Sequence, residues 1–459
     1  MDIRLTAALL AGKTAGFAAR RLGRGGTALP GLIACSLDAN IVAKLGRQIP
    51  TRVLVTGTNG KTTTCRALSS ILEQARHRFV HNREGSNLTR GFASTLLDRA
   101  ALGGSLPSIE IGLFETDEAT LPDAVDSLRP EVIAFTNLFR DQLDRYGEVD
   151  TVAGIWCRAL ADAPPTTTLV LNADDPLTAA LADEWPGPVH FFGLELPEAA
   201  DAEQADARWC PECGNPIAYD LRYFAHVGRW RCDSCNRRAP APDTLGRSIQ
   251  LDRNGATFEV DGWPGELRLD LAGAYNVYNA VAAIAVGQVI GVPDEDIRAG
   301  LTALAPAFGR QEMIQYRGRL LRFLLSKNPA GANRVLGFLR DCADDEQGLK
   351  TVVLLNDRFA DSRDVSWIWD VNYEQLAPHI SRYWTGGLRA EEMALRLRYA
   401  GWPQASGTVR DPGGILEALV AGTGEGEEIF VLPTYTSMLD LRAALVDRGA
   451  VSPYWERRK

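Results

Sequence analysis

A β-branched run, Arg52 to Val55, enters a turn, Thr56-Gly57-Thr58-Asn59-Gly60-Lys61-Thr62-Thr63, after which apolar residues recur at Leu68, Ile71, Leu72 and Ala75. Strand, loop and helix in that order place the turn at a helix N-terminus, where backbone N–H groups converge on phosphate oxygens. A lysine at that point neutralises phosphate charge and a threonine hydroxyl ligates Mg²⁺, roles that fall to Lys61 and Thr62. The spacing is shorter than the general G-x-x-x-x-G-K-[ST], since Val55 stands where the first glycine would be. A chance Gly-Lys-Thr is disfavoured by the flanking strand and helix. Further apolar runs at Ile109 to Phe114, Val132 to Phe135 and Thr168 to Leu171, separated by helix-like stretches, predict an α/β fold with a parallel sheet covered on both faces.

Four of the eight cysteines, Cys210, Cys213, Cys232 and Cys235, form a C-x₂-C…C-x₂-C quartet with eighteen residues between its halves. Four thiolates in two knuckle turns suit tetrahedral zinc, and a closed four-sulfur site has a structural role by default. A redox pair or an iron–sulfur cluster is the alternative. Cys35, Cys65, Cys157 and Cys342 are scattered singly, so the cysteines predict a metal site in a reducing compartment and no disulfide framework. From about Ala199 to Arg247 the sequence is polar and rich in Trp and Cys, which marks an insert whose small core is expected from Trp209, Trp230 and Tyr223. The net charge of −9 supplies no basic field for nucleic acid.

The apolar stretch Leu5 to Leu10 is interrupted by Lys13, Arg20 and Arg21 before it reaches spanning length, so no transmembrane helix is expected. An amphipathic helix, packed on the protein or lying at a membrane surface, is. After the insert come a run at Leu267 to Leu271 and a helix with Val277, Ala280, Val281 and Ile284 on one face. A boundary falls near Phe308 to Gly318, and a second α/β unit carries strands at Leu320 to Leu325, Thr351 to Leu355 and Ile429 to Leu432. Glu115, Asp117 and Glu118 follow the run ending at Phe114, at the carboxyl end of the sheet where ligands gather. A carboxylate there can hold the Mg²⁺ that bridges phosphates. Each is equally a residue that opens the helix Ala119 to Asp126, and not all three can be ligands.

Thr56 to Thr63 with Glu115, then Thr136-Asn137 before Asp141-Gln142-Leu143-Asp144-Arg145-Tyr146-Gly147, then Gly273-Ala274-Tyr275-Asn276-Val277-Tyr278-Asn279-Ala280, then Gly309-Arg310-Gln311-Glu312, resemble the Mur ligases in order and spacing. The quartet narrows the resemblance, together with Gly25 to Gly31, Ala360 to Asp370 and Leu432-Pro433-Thr434-Tyr435-Thr436. The chain is similar over nearly its whole length to the MurT branch of that family, the synthetase subunits of lipid II isoglutaminyl synthase.

The resemblance implies a helical segment over 1–48 packed on the ATPase domain, a Mur ligase central ATP-binding domain over 49–312 with a zinc-ribbon insert about 203–245, and a Rossmann-like C-terminal domain over 313–459. It implies ATP on Gly57, Thr58, Asn59, Gly60, Lys61, Thr62 and Thr63, completed by Asn276 and Arg310, with Mg²⁺ on Thr62 and Glu115 and Zn²⁺ on the quartet. The implied reaction phosphorylates the α-carboxylate of D-glutamate in the lipid II stem peptide, and ammonia displaces the phosphate to give D-isoglutamine. The cysteine after the quartet, Cys342, sits in an acidic run expected to raise its pKa, and the five histidines form no base motif, so this chain is not expected to make ammonia. The resemblance supplies a heterodimeric GatD-type glutamine amidotransferase, in whose triad Asp361 would orient the partner's histidine. Asp357, Asp364 and Asp370 are its rivals. The implied location is the cytoplasm, with a peripheral place at the inner membrane face left open.

The departures from the family matter too. Gln142 replaces a Mg²⁺-binding histidine, Arg158 lies near the place of a carbamylated lysine, Ser362 replaces a glycine beside Asp361, and Lys327-Asn328-Pro329 replaces an acidic segment that recruits an amino acid. Losing that recruitment accords with ammonia as nucleophile. An amino-acid-adding ligase of the Mur or folylpolyglutamate type is the nearest alternative, and a zinc-ribbon binding module with an ATP switch is the alternative of another class.

Overall fold

Val53, Leu54 and Val55 are all buried, which a strand allows only when the sheet is covered on both sides. The computed structural model describes residues 2–21, 28–82, 87–140, 149–196, 207–304, 310–343 and 348–452, with the side chains of Arg20, Arg310 and Gln311 outside the description. Val53 and Val55 face one hydrophobic cluster and Leu54 the other, as the two-residue period of a strand requires. The first cluster holds Leu68, Ile71 and Leu72 of the helix Lys61–Gln74. The second holds Leu5 and Leu9 of the N-terminal helix Ile3–Arg21 and Trp156 of the helix Val149–Ala161.

Six parallel strands build the centre of this sheet: β1 (Thr51–Thr56), β2 (Phe79–His81), β3 (Ile111–Glu115), β4 (Val132–Phe135), β5 (Thr168–Asn172) and β6 (Val189–Leu194). An antiparallel hairpin, β7 (Ala218–Phe224) and β8 (Val227–Arg231), stands apart as its own small sheet. The large sheet then continues through β9 (Thr244–Leu251), parallel to β6, and two antiparallel edge strands, β10 (Ala256–Val260) and β11 (Leu267–Leu269). The order is β11-β10-β9-β6-β5-β4-β1-β3-β2, a mixed sheet where a parallel one was expected. The helix Ala274–Val289 is buried on nearly every side, not on one face, because it lies between this sheet and the helices Lys61–Gln74 and Asp294–Thr302.

A second sheet follows, with β12 (Arg310–Tyr316), β13 (Arg319–Leu324), β14 (Leu349–Leu354), β15 (Ile380–Gly386), β16 (Gly407–Val409) and β17 (Glu428–Pro433) in the order β12-β13-β17-β14-β15-β16. Only β12 runs antiparallel to its neighbour. Two contacts tie this unit to the phosphate loop and the insert. Asn328 Nδ2 donates to Asn59 Oδ1 at 3.2 Å, and the Arg334 guanidinium lies 4.6 Å from the Phe139 ring centre and 4.3 Å from that of Phe224.

Candidate active site

The helix Lys61–Gln74 begins directly after Gly60, whose φ of 94° lies in the region glycine favours. A Cβ there would lie 2.1 Å from Asn279 Oδ1, and one at Gly57 would lie 2.2 Å from Thr136 Oγ1. Both glycines are therefore demanded by close packing from behind the loop. Thr136 Oγ1 and Asn137 Nδ2 donate to the Asn59 carbonyl at 2.7 and 2.9 Å, and the Asn59 amide donates to Asn137 Oδ1 at 3.0 Å. Thr136 and Asn137 thus fix the backbone of the loop at Asn59. Sequence reasoning noted the pair only as part of a motif.

The three carboxylates divide into three roles. Glu115, the last residue of β3, accepts from the Thr62 hydroxyl at 2.9 Å. Glu118 pairs with Lys61 at 3.1 Å, and Asp117 caps the short turn after β3 by accepting from the Ala119 amide at 3.2 Å. Thr62 and Glu115 form the oxygen donor set that suits Mg²⁺. Burial opposes the charge on Lys61, but Glu118, Asp117 and Glu115 overcome it and hold its pKa above the ordinary lysine value. Lys61 also donates to the Gly57 carbonyl, so its ammonium sits inside the loop.

Asn276 is buried, and its amide donates to the Ala272 carbonyl at 2.8 Å. Asn279, one turn on, is the asparagine that touches Gly60, and no sequence signal separated the two. The side chain of Arg310 and the whole of Gln142 fall outside the described residues. Cys65 and His81 come together beside Glu115, a Cys–His approach invisible in the sequence. Burial, reinforced by Glu115, pushes the Cys65 thiol far above its ordinary value, which does not suit a glutaminase nucleophile. Cys342 is raised to about 11, as expected, but burial is the main cause and the acidic neighbours are secondary.

In the insert the four cysteine sulfurs lie within 4.8 Å of one another, with closest pairs of 3.4 Å (Cys213 and Cys232) and 3.7 Å (Cys210 and Cys235). Tetrahedral Zn–S bonds place sulfurs about 3.8 Å apart, so the quartet fits zinc. Gly214 and Asn236, each following a second cysteine, take the positive φ of a knuckle turn, 69° and 60°. The expected insert core needs correction. Trp230 and Tyr223 are buried, but Trp209 is 61% exposed, since the hairpin presents its apolar side to the core of the large sheet and leaves Trp209 outside. Trp230 Nε1 donates to the Ala173 carbonyl at 3.0 Å, and His226 at the hairpin turn lies 3.5 Å from Asp175.

Asp361 ends a short turn after β14, and its carboxylate is buried. It accepts from the Thr436 amide at 2.7 Å and from the Thr436 hydroxyl, so it faces inward onto the helix Tyr435–Asp447. Burial raises its pKa, against the opposing pull of those hydrogen bonds. Ser362 has φ 75°, in the left-handed region that glycine favours. Among the rivals, Asp357 pairs with Arg389 at 2.8 Å, Asp364 accepts from the Ser366 amide at 2.8 Å, and Asp370 lies 3.7 Å from Arg140. Phe359, beside Asp361, is 67% exposed.

Family comparison resolves the identity. Residues 55–209 match the Mur ligase middle domain and residues 325–438 match the MurT ligase C-terminal family. The MurT subunit of lipid II isoglutaminyl synthase (glutamine-hydrolyzing) from Streptococcus pneumoniae is 33% identical over 98% of this chain and 99% of its own. The chain belongs to the MurT family. A MurT subunit from Staphylococcus aureus strain COL is 32% identical over 84% of this chain and 86% of its own. Among solved structures, a pseudomurein peptide ligase type C from Methanothermus fervidus superposes with a TM-score of 0.67 at 19% identity, covering 89% of this chain and 80% of that one. MurF ligase from Thermotoga maritima, solved with ADP, gives 0.60 at 14% identity, covering 90% and 82%. At these identities the likeness carries the fold, the Mur-ligase α/β architecture, which the MurT family shares.

Proposed function

We propose that the chain is the ATP-using synthetase subunit of an enzyme that amidates the α-carboxylate of D-glutamate in the lipid II stem peptide to D-isoglutamine. The observation that carries this reading is the near full-length likeness to a MurT subunit of a glutamine-hydrolyzing synthase. A carboxylate is a poor electrophile. Transfer of the γ-phosphoryl group of ATP to its oxygen, with ADP leaving, gives an acyl phosphate that ammonia attacks, releasing phosphate and a proton. Lys61, ringed by acids yet kept charged, would meet phosphate charge at the loop. Asn276 and Arg310 are the further nucleotide-binding residues of this reading. Thr62 and Glu115 would hold magnesium, which would supply positive charge against the phosphates.

Ammonia comes, in this reading, from a GatD-type glutaminase partner bound to the C-terminal unit, since no exposed low-pKa cysteine is paired with histidine among the described residues. Asp361 is the residue proposed to orient the partner's histidine. To do so it must exchange its hydrogen bonds to Thr436, and the exposed Phe359 beside it supplies an apolar contact for docking. The test is amidation of lipid II by the purified chain and by its complex. The chain alone is expected to use ammonia and not glutamine, and Asp361→Asn in the complex to lose about 10⁴-fold of glutamine use, the loss that follows in a triad when the orienting carboxylate goes, while retaining ammonia use. Glutamine-dependent product from the chain alone, or unchanged glutamine use in the variant, would remove this assignment.

A further inference from the structure

We infer that the protein has a second site for a soft divalent cation, of the Zn²⁺ type, at the base of the phosphate loop, formed by Cys65, His81 and Glu115. The Cys65 sulfur, a His81 ring nitrogen and a Glu115 carboxylate oxygen lie within 4.8 Å of one another. Three elements converge to put them there. Cys65 is one turn after Lys61 on the helix that starts at the loop, His81 ends β2 and Glu115 ends β3. The set is a thiol, an imidazole and a carboxylate, a donor combination that suits zinc and that Mg²⁺ does not select.

The surroundings orient these donors before any metal arrives. The Ser69 hydroxyl lies 2.9 Å from His81 Nδ1 and fixes the ring. Asn82, next to His81, donates to the Glu115 carbonyl and accepts from the Glu115 amide, both at 2.8 Å, so the ends of β2 and β3 are clamped together. Such outer bonds fix ligand geometry in metal sites. Cys65 is fully buried and Glu115 nearly so, which shields the site from water on one side, while three protein ligands leave a coordination position open.

The consequence reaches the nucleotide site through the shared Glu115. A cation bound by Cys65, with the thiol proton released to solvent, draws the Glu115 carboxylate away from the Thr62 hydroxyl, 2.9 Å distant. Occupancy by zinc therefore competes with magnesium at the loop. Binding stands on the three side chains alone, whereas the competition rests on the proposed role of Glu115.

The experiment uses the full chain with its cysteine quartet already zinc-loaded. Co²⁺ is titrated without nucleotide and followed by thiolate-to-cobalt absorption, and Mg²⁺-ATP turnover is then measured at buffered free Zn²⁺. One further equivalent of Co²⁺ with single-thiolate intensity is expected, weakened about tenfold or more in Cys65→Ser and in His81→Asn. Turnover is expected to fall with free zinc in the native chain, and in Cys65→Ser only at about tenfold or more higher free zinc. Absence of a thiolate band beyond the quartet, or equal binding in the native chain and in a folded variant of either residue, overturns the site. Binding without inhibition overturns the competition. The cobalt arm is read without ATP, so it decides the site even if the proposed reaction fails.

Discussion

Lys61 keeps its charge in a place that disfavours one, and it does so because three carboxylates surround it. In the proposed reaction an arriving phosphate would take the place of Glu118 as its partner. Asp174 shows the opposite balance. Buried and bonded to the Tyr278 hydroxyl at 2.7 Å and the Leu194 amide at 2.8 Å, it has its pKa pushed by burial up to about 7. An acid whose folded pKa is raised binds more protons folded than unfolded, so its contribution is present below pH 4 and is lost as pH rises to about 7. The loss amounts to roughly 4 kcal/mol. Asp174→Asn should flatten the fall in denaturation midpoint between about pH 4 and pH 7; parallel profiles for the two proteins would show that Asp174 does not titrate there. At this scale the loop lysine and its threonine were legible from sequence order, and Glu115 was separated from Asp117 and Glu118 only by the family resemblance. Asn279, Thr136 and the inward turn of Asp361 were not legible, because they depend on packing between distant segments.

The elements follow the sequence where apolar period decides and depart from it where neighbours do. The buried runs at Val132 to Phe135 and Thr168 to Leu171 are strands as expected. The run at Leu267 to Leu271 is in part the edge strand β11, whereas β10 had no such signal, and the antiparallel pairing of both is set by contacts across the sheet. The segment Lys327-Asn328-Pro329 read as the loss of an amino-acid recruiting site. The fold gives it a further use: Asn328 caps the helix Pro329–Asp341, accepting from the Gly331 amide at 2.7 Å, while its amide donates to Asn59 in the phosphate loop. Asn328→Asp keeps a capping oxygen and removes that donor. One neutral hydrogen bond contributes about 1 kcal/mol, so kcat/KM for ATP should fall about fivefold with little change in stability. An unchanged value would show that this contact does not support the loop.

Across the whole molecule, two sheets meet at the phosphate loop, and the cysteine-bearing hairpin joins them there, its Phe224 stacked on Phe139 beside Arg334. The quartet was legible from spacing alone, but its docking through Trp230 and His226 was not, because the hairpin's partners lie on β5's loop. No helix among the described residues is long and apolar enough to cross a membrane. The helix Ile3–Arg21 nevertheless shows Ile3, Leu10 and Phe17, seven residues apart, at 82%, 57% and 56% exposure, with Arg4 and Lys13 on the same helix. Such a stripe suits a lipid surface. The chain should sediment with anionic vesicles, and replacing the three residues by serine should abolish this; equal sedimentation would place the contact elsewhere.

In the proposed reaction a carboxylate is phosphorylated at the loop before nitrogen attacks. Lipid II carrying ¹⁸O in the D-glutamate α-carboxylate tests it directly, with the phosphate released during ammonia-dependent amidation read by mass. Phosphoryl transfer to that oxygen requires one ¹⁸O in each phosphate formed with product. Phosphate free of the label, with amide still produced, would contradict the acyl phosphate and the roles given to Lys61, Thr62 and Glu115.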